Sequence, residues 1–220
     1  KGVPLGEGVK ATFAAAATRN IGHASGFDPG DSGEDSALPG LQGRAALSFP
    51  GIGGRTMTVG VSSHWAHEEY DVDADDRNVD LDSWSANLDL QVPVCDWLAI
   101  KGELFGGQNL DAYLGSIGNG VDVFGNSITE VQSVGGWLAA SLGPWDRWRF
   151  NVGFSGEAVN DGDVETVGTR TCNQSVFGNT IYQLSEHTSV GLEVSHWHTG
   201  YEGLDDRDSV RVQGSFIYQW

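Results

Sequence analysis

The sequence has few residues of the kinds that several classes of protein require. Its 220 residues include two Cys, one Met, and 12 Lys plus Arg against 30 Asp plus Glu, for a formal net charge of −18. Cys95 and Cys172 are too few for a disulfide scaffold and lack the spacing of a zinc or haem site, so we predict two unpaired thiols. A strongly acidic chain without a basic patch repels nucleic acid. We therefore predict no nucleic-acid partner, no metal and no cofactor.

Long apolar runs are also missing. No run of 18 consecutive apolar residues occurs, which excludes a transmembrane helix. The chain opens at Lys1 without an initiator Met, so a processed or trimmed chain is expected. Glycine is abundant, at 32 residues, and 8 Trp, 9 Phe and 5 Tyr accompany it. This composition favours an all-β fold of many short strands with aromatic belts, in a single domain over 1–220.

The carboxy-terminal segment 209–220 alternates in polarity and ends on an aromatic residue. One face of this strand pattern is apolar and consists of Val210, Val212, Gly214, Phe216, Tyr218 and Trp220. The other face is polar and includes Arg211 and Gln213. A strand with this period buries one face and exposes the other to water. Such an aromatic last strand resembles the closing strand of bacterial outer-membrane barrels.

Alternation and turn residues predict about ten strands over the whole chain. They lie near 8–20, 41–50, 55–70, 79–93, 98–109, 129–143, 148–159, 170–184, 189–201 and 209–220. Short connections at 51–54, 93–97, 143–147 and 185–188 alternate with long ones at 21–40, 71–78, 110–128, 160–169 and 202–208. An antiparallel transmembrane β-barrel has this asymmetry. The last strand is then expected to pair with an earlier one, near 9–17 if the chain is complete.

Aromatic residues distinguish a membrane barrel from a soluble sandwich, whose strands also alternate but whose polar face lies outside. One group lies at the short-connection end and the other at the long-connection end: Trp97, Trp145, Trp148 and Trp220, and then Trp65, Trp84, Tyr70 and Tyr201. Two aromatic girdles around an apolar band are typical of a protein that crosses a bilayer. We therefore predict a transmembrane barrel.

Charged and polar side chains on the other face are predicted to line a pore. These residues are Arg44, Lys101, Glu103, Arg149, Glu157, Glu193, Arg211 and Gln213. Opposed charges across a pore determine ion selectivity. Opposite charges on neighbouring strands instead pair and brace the wall. The sequence leaves both roles open.

Acidic residues concentrate in the long connections and predict an acidic mouth. The candidates are Asp71, Asp73, Asp75, Asp76, Asp205 and Asp206, with further acids within 28–35 and 161–165. Such a mouth concentrates cations, or merely keeps the surface hydrated. The segment 71–82 resembles a calcium loop only faintly, because Asp76 replaces the required glycine. Loose binding of divalent cations that bridge lipopolysaccharide stays open.

The connection at 108–124 is apolar where the other long connections are acidic. Its only charged residues are Asp111 and Asp122. A long apolar connection is usually functional rather than disordered. We predict that it folds inward, or against a neighbouring subunit, and narrows the lumen. The candidate constriction residues are Asn109, Asp111 and Tyr113.

Several segments resemble one family of channels. They are 106–115, 135–137, 148–153, 173–179, 191–195 and 212–218, and they are similar to the carboxy-terminal part of DcaP-like outer-membrane porins. The resemblance covers residues 60–220 and implies a homotrimeric barrel of about sixteen strands in the bacterial outer membrane. It also implies passage of small solutes, acidic ones among them. As a barrel in the outer membrane, the protein is expected to contact lipid and lipopolysaccharide. This chain is shorter, so either upstream strands are missing or it closes with fewer strands.

Two other functions remain as alternatives to a porin. His196 and His198 lie near Glu202, Asp205 and Asp206, an arrangement similar to the rim of outer-membrane proteases. No Gly-x-Ser-x-Gly or His-Glu-x-x-His motif accompanies them. A structural or adhesive barrel is the other alternative. We predict a porin without enzymatic activity that forms a channel for passive diffusion of ions and small solutes.

Overall fold

Strands make up most of the regular structure. The computed structural model describes residues 1–19, 38–71, 78–113, 115–124 and 127–219. The strands are β1 (Gly2–Gly6), β2 (Val9–Thr18), β3 (Gly40–Pro50), β4 (Thr56–Asp71), β5 (Asn78–Cys95), β6 (Leu98–Gln108), β7 (Val121–Phe124), β8 (Ser127–Glu130), β9 (Gln132–Trp145), β10 (Trp148–Val159), β11 (Arg170–Gln183), β12 (Thr188–Tyr201) and β13 (Leu204–Tyr218). Single 3₁₀ turns occur at Ile52–Gly54, Asp111–Tyr113, Ser116–Gly118 and Asp161–Asp163. No helix within the described ranges is long and apolar enough to cross a membrane.

Eleven strands form one antiparallel sheet in the order of the sequence, from β1 to β6 and then from β9 to β13. The hairpin of β7 and β8 belongs to the long connection between β6 and β9. The all-β antiparallel fold and all ten predicted strands are confirmed, whereas β1, β7 and β8 were not predicted. Among the described residues, β1 and β13 lie at the two edges of the sheet. Strand β2 pairs with β1 and β3, so the predicted pairing of the last strand with β2 is not made.

The alternation of short and long connections is confirmed except at one place. Strands β9 and β10 are separated only by residues 146–147, whereas 160–169 separates β10 from β11. The predicted long connection at 202–208 is wrong, because only residues 202–203 separate β12 from β13. Gly203 has a φ of 65° there, which favours glycine. Asp205 and Asp206 therefore lie on a strand.

One contact joins two of the short connections. The Arg55 guanidinium, just before β4, donates a hydrogen bond of 2.5 Å to the Asp96 carboxylate between β5 and β6. This hydrogen bond raises the pKa of Arg55 above its ordinary value. The Asp96 side chain is almost fully exposed, so we expect the pair to orient the turns rather than to stabilise the fold substantially.

The two faces of the sheet differ in polarity. Val61, Leu88 and Leu104 lie side by side across β4, β5 and β6. All three are exposed, as are the residues that continue this apolar face: Val59, Val134, Leu138, Val152, Phe154, Val176, Leu192, Val194, Val210, Val212 and Phe216. No second sheet covers this face within the described residues. A soluble sandwich would bury it, so an uncovered belt of this kind indicates contact with lipid.

Aromatic contacts gather at the short-connection end. The ring centroids of Trp97 and Trp145 lie 6.1 Å apart, and those of Trp148 and Tyr182 lie 4.6 Å apart. At the other end, Trp65 and Trp84 are directly opposite each other on β4 and β5. These two girdles are confirmed for the residues named here. Trp220 and the side chain of Tyr70 lie outside the described residues, and Tyr201 ends β12 at the long-connection end.

Candidate functional site

All eight predicted pore residues lie on the polar face of the sheet. Strand register places them opposite other polar or small residues: Arg44 opposite Ser62, Lys101 opposite Gln91, Glu103 opposite Asp89, Arg149 opposite Ile181, Glu157 opposite Asn173, Glu193 opposite Asn179 and Gln213, and Arg211 opposite Ser195. The exception is Ile181, near the short-connection end. Their placement on this face is confirmed, whereas their contact with a permeating solute stays a prediction.

Arg44 has a bracing partner that the sequence analysis did not assign. Its Nη2 atom donates to both carboxylate oxygens of Asp89, at 2.6 and 2.8 Å, and its Nε atom donates to Oδ2 at 3.2 Å. The pair reaches across β4, because Arg44 belongs to β3 and Asp89 to β5. Gly60 on β4 lies between them and leaves room for the side chains. Of the two roles left open for Arg44, this geometry favours bracing.

The substitution Gly60→Ala is expected to separate Arg44 from Asp89. A Cβ at residue 60 would collide with both side chains, whereas a Cβ at Gly43 on β3 would meet open space. We expect Gly60→Ala to lower the free energy of unfolding by about 1 kcal/mol, because the ion pair that it separates is partly exposed and the ends of both side chains can shift. The control Gly43→Ala is expected to change it by less than about 0.5 kcal/mol. Unfolding of the two variants in lipid vesicles by guanidinium chloride measures both changes. Equal free energies of unfolding for the two variants would contradict the proposed role of Gly60.

A chain of hydrogen bonds fixes the start of the connection between β6 and β9. Asn109 is fully buried, and its side-chain amide donates to the Glu68 carboxylate at 2.7 Å. The backbone carbonyl oxygen of Asn109 accepts from the Ser83 hydroxyl at 2.6 Å. Because the Ser83 hydroxyl donates to Asn109, its oxygen accepts from His64 Nε2 at 2.9 Å, and His64 Nδ1 hydrogen-bonds with the Ser85 hydroxyl at 2.7 Å. The network therefore places a proton on Nε2 of His64.

Tyr113 holds the next turn of the connection against the polar face. Its ring stacks on His64 with centroids 3.7 Å apart and an interplanar angle of 22°. Together with Leu110 it covers a cavity of about 730 Å³ whose other walls include Arg44 and Glu103. The predicted constriction residues Asn109 and Tyr113 thus anchor the connection. Asp111 lines a second cavity of about 430 Å³.

The second half of the connection packs against another part of the polar face, near β10 and the connection between β10 and β11. Ile117 has a φ of 54°, rare for a β-branched residue, and it belongs to a buried cluster with Val131, Val159 and Val164. The carboxylate of Asp122 accepts two backbone N–H bonds, at 2.8 and 3.2 Å, from the connection between β10 and β11. The segment therefore packs against the polar face of the sheet, and the prediction that it narrows the lumen stays a prediction.

The predicted acidic mouth is only partly within the described residues. Asp73, Asp75, Asp76 and the side chain of Asp71 lie outside them, as do the acids of 28–35. Asp206 lies 3.4 Å from His198, whereas Asp208 lies 3.1 Å from His198 and 3.5 Å from His196. Register places His196 and His198 on the apolar face, opposite Val210 and Asp208. In the described ranges, no group of three or more His, Cys, Asp or Glu is arranged to hold a metal ion.

Alternation predicts that Asp89 lies on the polar face, and the register confirms this. Sequence reasoning missed three other residues of that face. Trp137 carries the polar-face parity of its strand, so the alternation pattern contained the information needed to find it. Trp197 also follows that parity, opposite Ser175. Glu68 lies close in sequence to the acidic connection at 71–78, yet it belongs to β4 and is 2 % exposed. No sequence pattern indicates that Asn109 would bind it. Both cysteines are unpaired, as predicted.

No protein-family model matches this chain, and no curated protein matches it. Two solved structures do. The outer membrane channel DcaP of Acinetobacter baumannii has a TM-score of 0.71 at 16 % identity, over 99 % of this chain and 60 % of that one. The chain has the fold of an outer-membrane porin. An anion-selective porin from Comamonas acidovorans has a TM-score of 0.57 at 12 % identity, over 99 % of this chain and 57 % of that one.

The porin fold indicates what each face of the sheet contacts. In such a fold the apolar face contacts lipid and the polar face surrounds the lumen. The resemblance to DcaP-like porins is confirmed at the level of the fold. The porin fold of this chain spans about three fifths of the length of either solved structure. The connection between β6 and β9, which packs on the polar face, therefore lies on the lumen side of the sheet.

Proposed function

We propose that this chain forms a water-filled channel in the bacterial outer membrane, through which ions and small solutes diffuse passively. The observation that carries this proposal is the inward connection, which leaves cavities of about 730 and 430 Å³ lined in part by Arg44, Glu103, Glu157 and Arg170 instead of filling the space with apolar side chains. Exposed lumen-facing charges such as Lys101 and Arg149 are hydrated in such a channel. A dry core would make them costly.

The porin fold also supports the proposed surroundings of the channel. The exposed apolar belt is suited to outer-membrane lipid, and the girdle of Trp65 and Trp84 would lie below the level of lipopolysaccharide. We further propose that the protein is a homotrimer, as the family resemblance implies. Chemical cross-linking in detergent tests this, and a ladder that stops at the monomer would contradict it.

A hydrolase at the rim is less well supported than a channel. His196, His198 and their Asp partners are half-exposed or exposed and lie on the lipid-facing side of β12 and β13. A catalytic base must reach the proton that it removes from a nucleophile or a water. Both ring nitrogens of His198 face carboxylates, with Nδ1 3.1 Å from Asp208 and Nε2 3.4 Å from Asp206, so neither nitrogen is directed at a nucleophile or a water.

Recording from planar lipid bilayers tests the proposed function. We expect the purified protein to add current in discrete steps whose size grows in proportion to the bulk conductivity of the salt solution, because ions in a water-filled pore move as in bulk. Heat-modifiable gel mobility confirms folding in the same preparation. Folded protein that adds no current would contradict the channel and favour a structural or adhesive barrel.

A further inference from the structure

Two tryptophans lie on the polar face, where a membrane girdle cannot explain them. Trp137 on β9 is opposite Ser155 on β10, which is opposite Ser175 on β11, which is opposite Trp197 on β12. The four residues thus form one row across neighbouring strands. Because strands lie about 4.8 Å apart, the two tryptophan backbones are about 14 Å apart. A cleft lies over this row, with an indole at each end and Ser155 on its floor, whereas Ser175 is buried.

The two serines already have hydrogen-bond partners in the sheet itself. The hydroxyls of Ser155 and Ser175 bond to each other at 2.7 Å. The indole N–H of Trp197 donates to Ser195 at 2.9 Å. A ligand in the cleft would therefore meet a flat floor and aromatic faces, and it would find polar partners at the rim instead.

The rim presents both hydrogen-bond acceptors and donors. The cavity over the row measures about 430 Å³, and Asp111, Glu157, Arg170 and Asn173 line it. Asp111 comes from the inward connection, whereas Glu157, Arg170 and Asn173 belong to β10 and β11. Carboxylates accept hydrogen bonds, a guanidinium donates them and a carboxamide does both. The rim can thus satisfy a solute that carries many hydroxyl groups.

We propose that the cleft between Trp137 and Trp197 binds a neutral sugar of one or two pyranose rings during its passage; this rests on the proposed channel function. The C–H groups on a pyranose face are weakly positive and pack on the negative face of an indole. Its hydroxyls donate to Asp111 and Glu157 and accept from Arg170. A cavity of about 430 Å³ lies in the range of small-ligand sites.

An organic cation is the competing ligand class, because aromatic faces and carboxylates also attract cations. Arg170 argues against it, since a guanidinium in the same cavity repels a positive solute. A sugar carries no charge and uses the guanidinium as a donor. The mixed charge of the rim therefore favours the sugar.

Blocking of the ion current by maltose tests the proposal in planar bilayers. We expect maltose to reduce the conductance of the protein along a saturating curve. Trp137→Ala and Trp197→Ala should each raise the half-blocking concentration by about tenfold, the effect of losing one stacking partner. Trp137→Phe keeps an aromatic face and should fall between. Trp84→Ala removes an indole from the lipid-facing side and serves as the matched control, with blocking unchanged.

The outcomes separate this proposal from the channel function itself. Protein that never conducts contradicts the proposed function. A normal channel whose current falls only in proportion to solution viscosity overturns the sugar site, as do Trp137→Ala and Trp197→Ala variants that are blocked like the parent. Saturating block by tetraethylammonium but not by maltose would assign the cleft to organic cations and overturn the proposal. Conductance without maltose shows in each recording that the variant is folded.

Discussion

Leu88→Arg is expected to lower the free energy of unfolding in a lipid bilayer by about 2–4 kcal/mol, the cost of an arginine on the lipid-facing side near the middle of a membrane. Leu88 is 43 % exposed on the apolar face and lies between Val61 and Leu104 on the neighbouring strands. The charged side chain of an arginine at this position would be transferred from water into hydrocarbon. Unfolding of the protein in vesicles by guanidinium chloride measures the change in free energy.

Gln91→Arg provides the matched control on the same strand. Gln91 lies on the polar face, opposite Thr58 and Lys101, and is exposed. An arginine there stays in water, so we expect a change of less than about 0.5 kcal/mol, apart from weak repulsion by Lys101. If both variants lose the same stability, the apolar face does not contact hydrocarbon.

Deletion of residues 110–124 is expected to raise single-channel conductance by about twofold or more, because pore conductance grows with the open cross-section. The deleted segment covers the cavity of about 730 Å³ and carries Tyr113, which stacks on His64. The hydrogen bond from the Asn109 N–H to the Val131 carbonyl, at 3.0 Å, keeps the two ends of the connection close together. The shortened chain can therefore close at the wall.

Tyr113→Phe is the control for the deletion. It removes the hydroxyl but retains the ring that stacks on His64, so we expect parental conductance. The deletion variant must also show heat-modifiable mobility, which establishes that its barrel is folded. A folded deletion variant with parental conductance would contradict the view that this connection narrows the lumen.

The sequence allowed the strands and their faces to be predicted because the side-chain period of a strand is fixed at two residues. Once the apolar residues Val210, Val212 and Phe216 define one face of β13, Arg211 and Gln213 must lie on the other, as the register shows. The same logic placed Arg44 and Lys101 correctly. The prediction failed at 202–208 because acidic residues were taken to indicate a connection, whereas β13 begins at Leu204.

Contacts between distant segments could not be predicted in the same way. Alternation places Asp89 on the polar face but does not say that Arg44 reaches it across β4, which depends on the missing side chain of Gly60. The apolar composition of 108–124 predicted an inward fold. Glu68 binds Asn109 and His64 stacks on Tyr113 because of the register between neighbouring strands. Sequence periodicity does not determine this register.

The most direct test of the account is a scan of thiol accessibility along β5. With Cys95 and Cys172 replaced by Ser, single cysteines are placed at residues 86–91, and each variant in lipid vesicles is treated with a charged, water-soluble maleimide. Register assigns Asn87, Asp89 and Gln91 to the polar face, and Ala86, Leu88 and Leu90 to the apolar face. If the polar face contacts water and the apolar face contacts lipid, cysteines at 87, 89 and 91 react and those at 86, 88 and 90 do not. Uniform labelling, or labelling of the even-numbered positions, would contradict it.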